Sequence, residues 1–222
     1  MTLILGIPVK QGMVMASDGQ VTTGQVRAQA KKLKKLNENC IWGAAGDFRL
    51  FERVEECIAA IPESEKGEPL QDLWTSLRDI VLKCVGDLVS PSQGSEPCQA
   101  IFVFAEYRDN PRILYILGNG QVQWQANIAF AIGNGDVFAH ALLHKYQDLI
   151  IEKIDSKLAT VIAYKIIAET AEAISIGVGP PIDVWQLPPA KNLSKEELTG
   201  LEETYLGLRK AEIELFLKGV KS

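Results

Sequence analysis

A chain of 222 residues with a formal charge of −5 can bury one substantial core. It carries no basic stripe for phosphate, which excludes a nucleic-acid surface; KKLKK (residues 31–35) is its one dense basic cluster. Apolar residues at 47% and charged residues at 23% fit an ordinary soluble globular protein, and no run approaches the roughly 18 apolar residues of a membrane span.

The N-terminus lacks a basic flank, and Lys10 cuts its apolar run too short for a signal peptide. Cys40, Cys57, Cys84 and Cys98 show no CxxC spacing and three lie inside apolar patterns. They read as reduced core thiols of a cytoplasmic protein.

Residues 2–9 and 12–17 are near-continuous apolar runs parted by Lys-Gln-Gly, the pattern of two strands and a tight turn with both sheet faces covered. Residues 20–32 are polar. Residues 33–36 and 40–45 then read as strand, turn, strand. From Asp47 the period changes: Phe48, Phe51, Val54, Ile58 and Ile61 recur at three and four, predicting a helix with Asp47 as N-cap and Pro62 as its stop. A charged loop leads to a second helix over 70–88, and residues 90–97 are a turn-rich connector.

Strands are predicted at 98–105, 112–117, 122–125 and 128–132, with Arg-Asp-Asn-Pro and Gly-Asn-Gly as hairpin chemistry. Helices follow over 136–146 and about 156–174, the latter with Leu158, Val161, Ile162, Ile166 and Ala173 on one face. A last strand spans 182–187. After Pro188-Pro189, Ser194-Lys195-Glu196-Glu197 forms a capping box that opens a helix to about Leu217, with Leu198, Leu201, Tyr205 and Leu208 as a narrow apolar seam. The order is strands, two helices, strands, two helices, strand, which fits two stacked sheets between helical layers. A domain over 1–187 and a helical extension over 188–222 are expected.

Removal of Met1 would leave Thr2 with a hydroxyl and a free α-amine on one residue. That amine titrates near pH 8 in model compounds (about 7.7–8.0), so it can serve as its own general base. The lysine pair 31–32 could supply a cation, Asp18 could orient it, and the amide of Gly46 at a strand-to-helix junction could hold an oxyanion. By spacing alone the bland readings compete: Asp-Gly is commonly a turn, and a lysine run is commonly a solvated face. His140 and His144 have zinc-ligand spacing, yet no HExxH glutamate or third ligand accompanies them, so surface or interface histidines are expected. The tryptophans are assigned to core or interface.

Several motifs in order resemble the β-type subunits of the proteasome and their bacterial relatives, the HslV-type peptidases and the Anbu group. They are Thr2 behind Met1, ASDGQVTTG (16–24), KKLKKL (31–36), GAAGDFRLFER (43–53), AIGNG (131–135) and GVGPPIDVW (177–185), the last closest to the Anbu branch. The resemblance implies an α+β fold, the four-layer αββα N-terminal-nucleophile sandwich, and a threonine peptidase built from many subunits. It implies Thr2 as nucleophile, Asp18 and Lys32 as its tuning pair and Gly46 as oxyanion donor. The segment between Asp18 and Lys32 is one residue shorter than in HslV-type chains, so Lys31 stands as the alternative.

Proteasome subunits have serine where Asn134 stands, and an aspartate and a serine opposite Ser175 and Val178. Asn134 and Ser175 are the expected support for the terminal amine; Val178 cannot replace a polar group. Expected partners are further copies in a ring or helical homo-oligomer, a peptide or unfolded-protein substrate, and an ATP-dependent unfoldase, with no cofactor and no metal. Two rivals stay open: a scaffold of the same fold without activity, and an amidase or acyl-transferase variant.

Overall fold

A computed structural model of the chain describes residues 2–23, 26–88, 99–125, 127–151, 154–174 and 177–219. Strands are β1 (Leu3–Val9), β2 (Gly12–Asp18), β3 (Gln20–Thr23), β4 (Val26–Gln29), β5 (Leu33–Asn37), β6 (Cys40–Gly46), β7 (Ala100–Tyr107), β8 (Pro111–Leu117), β9 (Val122–Gln125), β10 (Phe130–Gly133), β11 (Ile182–Leu187) and β12 (Lys191–Asn192). Helices are α1 (Phe48–Ala59), α2 (Glu63–Lys66), α3 (Leu70–Leu88), α4 (Asp136–Lys145), α5 (Gln147–Ile151), α6 (Ser156–Ala173) and α7 (Lys195–Gly219).

Two five-stranded antiparallel sheets carry the fold, ordered β10-β1-β2-β11-β12 and β5-β6-β7-β8-β9. The period-two rule of strands sorts their side chains into three cores. Leu3, Leu5, Ile7, Val14 and Ala16 face α4 and α6. Ile4, Met13 and Met15 instead meet Ile41, Val103, Ile113 and Tyr115 from the other sheet. Trp42, Phe102, Phe104 and Leu114 face α1 and α3, where Trp42 stacks on Phe104 at 5.8 Å between ring centroids. Three interlayer cores mean four layers, αββα. The central strands are buried on both sides, which is why β1 and β2 read as unbroken apolar runs.

Local chemistry fixes the helix ends. The Asp47 carboxylate accepts from Arg49 N at 3.0 Å, capping α1. The capping box of α7 closes in both directions, Glu197 N to Ser194 Oγ at 3.2 Å and Ser194 N to Glu197 Oε2 at 2.7 Å. Helix α7 lies on α6 and β11 through Leu198, Leu201 and Tyr205, and Lys165 of α6 pairs with Glu212 at 3.1 Å.

Four features differ from the sequence reading. Residues 20–29 contain the hairpin β3–β4, unseen because each strand has only four residues and lies in a mainly polar stretch. The charged loop after Pro62 includes the single turn α2, and α5 follows α4 directly. The buried side of α6 is broad, running through Ala159, Ile162, Ala163, Ile166, Ile167 and Thr170, while Leu158 is exposed. Leu208 and Trp124 are exposed in the single chain, which agrees with the interface alternative for the tryptophans and leaves Leu208 outside the packed part of its seam. The connector 90–97 lies outside the described residues.

Candidate active site

Strand β1 begins beside the turn between β10 and α4. The Thr2 carbonyl accepts from Asn134 N at 2.6 Å, and a Cβ on Gly133 would stand 2.0 Å from that same oxygen. Gly133 has φ +103°, so the glycine is required twice, by backbone conformation and by close approach. Across the next strand pair, Leu3 N donates to Asp18 Oδ1 at 2.7 Å, fixing the register of the residue that follows Thr2.

Asp18 is wholly buried at the end of β2, and Lys32, 2% exposed, donates to its Oδ1 at 2.7 Å. Gln20 N and Gly179 N donate to Oδ2 at 3.1 and 3.2 Å, and the Lys32 ammonium also donates to the Gln20 carbonyl at 2.5 Å. Burial pushes the Asp18 carboxyl above the ordinary aspartate range, against the pull of Lys32 and the backbone amides. Burial also pulls Lys32 below the usual lysine range, against the pull of Asp18. Two donors on each oxygen favour the ionised carboxylate and so oppose the effect of burial.

Between Lys31 and Lys32 the geometry discriminates, since Lys31 is exposed and Lys32 is the residue on Asp18. Gly46 ends β6 with φ +128°, and a Cβ there would meet Gln99 O at 2.1 Å. Thr2, Gly46 and Asn134 line one open cleft of about 800 Å³, walled by Val85, Ile101 and Leu117. Among the described residues that line it, none is charged.

Asn134 thus touches Thr2 through its backbone amide. Met1 and Ser175 lie outside the described residues. Val178 is buried in the core cluster of α6 and β1. Gly179 and Gln20 are the contributors that sequence reasoning missed; both act through backbone atoms, and the only hint was the Gly-Val-Gly-Pro-Pro break after α6. His140 and His144 are exposed and line a separate cavity of about 540 Å³ with Lys10 and Asp109. Among the described residues no His, Cys, Asp and Glu side chains group as a metal site, and no helix is long and apolar enough to cross a membrane.

Two stacked sheets between helical layers, with a threonine at the head of the first central strand, define the N-terminal-nucleophile hydrolase architecture. The sequence profile of the proteasome subunit family matches residues 2–179, and the chain belongs to that family. It is 28% identical over 183 residues to the ATP-dependent protease subunit HslV of Petrotoga mobilis, covering 80% of this chain and 96% of that protein. The HslV subunit of Borreliella afzelii is 29% identical over 154 residues, covering 66% and 78% respectively. Among solved structures, Anbu (ancestral beta-subunit) from Yersinia bercovieri superposes with a TM-score of 0.75 over 97% of each chain at 13% identity, a likeness of fold.

Proposed function

We propose that the protein is a cytoplasmic threonine peptidase that hydrolyses peptide bonds through Thr2 after removal of Met1. The observation that carries the reading is the convergence of Thr2 and Gly46 on one cleft, with the buried Asp18–Lys32 pair bonded to the amide next to Thr2. Thr2 Oγ attacks the scissile carbonyl while its own α-amine takes the hydroxyl proton. The Lys32 charge favours the unprotonated amine and the alkoxide, and Asp18 keeps that charge in place. The Gly46 N–H stabilises the oxyanion, and water then hydrolyses the acyl-enzyme. The Asn134 amide holds the Thr2 carbonyl so that the nucleophile does not drift.

Further copies of the chain assemble around this unit as a homo-oligomer. The apolar side chains Ile213, Leu215, Phe216 and Leu217 near the end of α7 are all more than half exposed, and burial against another copy would cover them. The HslV relatives are named as ATP-dependent protease subunits, and by likeness an ATP-dependent unfoldase delivers unfolded protein to this one.

Intact mass after exposure to a threonine-directed epoxyketone tests the reading. The expected result is loss of Met1 plus one adduct, absent in Thr2→Ala. Retained methionine with no adduct overturns it in favour of a silent subunit of the same fold. An adduct without peptide hydrolysis points instead to amide or acyl transfer.

A further inference from the structure

Helices α1 and α3 lie side by side over the second sheet, and two thiols meet between them. Cys84 Sγ is 3.6 Å from Cys57 Sγ, although the two lie 27 positions apart in the chain. Cys84 is fully buried, whereas Cys57 is half-buried and reachable by a small oxidant. Arg53, one turn before Cys57, bridges to Asp87, three residues past Cys84, at 3.7 Å, so a guanidinium spans the same pair. Both helices lead to the cleft: α1 starts two residues after Gly46, and Val85, next to Cys84, is part of the cleft wall.

We propose that Cys57 and Cys84 form a reversible thiol–disulfide switch that locks α1 to α3 when the protein meets a hydroperoxide. The Cys57 thiolate attacks a peroxide oxygen, the O–O bond breaks, and hydroxide leaves as Cys57 becomes a sulfenic acid. The Cys84 thiolate then attacks Cys57 Sγ, the S–O bond breaks, and a second hydroxide leaves. Each hydroxide takes up one of the thiol protons. Two thiols and one hydrogen peroxide thus become one disulfide and two waters. A dithiol reductant reverses the step.

Order of reaction follows from environment. Burial and the neighbouring Cys57 thiol push the Cys84 thiol up to about 12, with Arg53 pulling it down, so Cys84 does not react first. Once Cys57 is oxidised its contribution disappears and the Arg53 charge remains, which eases ionisation of Cys84. The sulfur atoms need to close by about 1.5 Å to reach the bonded distance near 2.05 Å, within reach of side-chain rotation. Closing a loop of this length removes unfolded-chain entropy, so the oxidised form is the more heat-resistant.

The test uses the full chain with Cys98→Ser, treated with hydrogen peroxide, quenched with N-ethylmaleimide and analysed by peptide mass mapping and thermal melting. The expected result is a Cys57–Cys84 cross-linked peptide, a rise in Tm of about 5 °C or more, and loss of both on adding a dithiol. Cys57→Ser in the same background shows neither the cross-link nor the rise. Accumulation of oxygen adducts on Cys57 without a cross-link, or a cross-link that leaves melting unchanged, overturns the proposal. Neither readout depends on peptidase activity.

Discussion

At Asp18 and Lys32, magnitudes decide what the pair does. A buried ion pair pays for desolvation, and removing one partner leaves the other charge uncompensated at a cost of about 3–5 kcal/mol. The two removals here are unequal. Asp18→Ala strands three backbone amides and an ammonium, whereas Lys32→Met leaves a carboxylate that still holds Leu3, Gln20 and Gly179. Urea denaturation is therefore expected to show the larger loss for Asp18→Ala, about 3–5 kcal/mol, and about 1–3 kcal/mol for Lys32→Met. Equal losses would mean that the backbone donors contribute nothing. The Lys32 shift also has a pH signature. Its folded value lies below 10.5, so between the two values the unfolded chain binds more protons and stability rises with pH. That alkaline rise is expected in the parent and absent in Lys32→Met; a rise that survives the substitution would assign it to another group. By residue type alone Asp18 reads equally as a turn and Lys31–Lys32 as a solvated face; the ordered family motifs single out Asp18, Gly46 and Lys32 over Lys31, and the structure pairs Lys32 with Asp18. Gly179, Gln20 and the Asn134 amide were not legible, because backbone donors and acceptors leave no mark on residue identity.

Elements with strong periodicity were read almost to the residue. α1 and α3 show a clear helical apolar period, β1 and β2 are unbroken apolar runs, and stop signals such as Pro62 and Pro188 bound α1 and β11. The hairpin β3–β4 was missed because its strands are only four residues long, too short for the alternation of Val26-Arg27-Ala28-Gln29 to stand out in a polar stretch. Strand β10 follows β9 in the chain but pairs with β1 in the other sheet, since local pattern does not encode which edge a strand joins. That crossing is what brings the Gly-Asn-Gly turn onto Thr2. Gly133→Ala forces a Cβ to 2.0 Å from the Thr2 carbonyl at φ +103°, so epoxyketone labelling of Thr2 is expected to fall at least tenfold in this variant, with lowered Tm. Unchanged labelling would show that the turn does not position the nucleophile. Gly86 in α3 is the opposite case, since a Cβ there meets nothing within 4 Å. Gly86→Ala is expected to gain about 0.5–1 kcal/mol in thermal or urea unfolding, the cost of glycine inside a helix. A loss instead would place an unseen neighbour against that face.

On the scale of the whole molecule, three cores and four layers account for the buried apolar surface of the sheets, but not for all of α7. Its first half is held by Leu198, Leu201 and Tyr205, and its middle by Glu212 on Lys165 and Arg209 on Glu172. Among the described residues, the core clusters include none of Ile213, Leu215, Phe216 or Leu217. Helix ends without tertiary packing are marginal in water, so a run of large apolar residues there calls for a covering surface. If a second copy supplies it, replacing these side chains weakens assembly and leaves the fold of one subunit intact, because they pack against nothing in their own core. Ile213→Glu combined with Phe216→Glu is expected to shift sedimentation from the assembled species to the 24.4 kDa single chain at micromolar concentration, with an unchanged far-ultraviolet spectrum. An unchanged sedimentation profile would place the subunit contacts elsewhere, and Val137 and Phe138 at the start of α4, also exposed, become the next surface to substitute. Their position matters for mechanism too, since α4 begins directly after the Asn134 turn that holds Thr2. A neighbour seated there would press on the turn, and labelling of Thr2 would then depend on protein concentration in step with assembly.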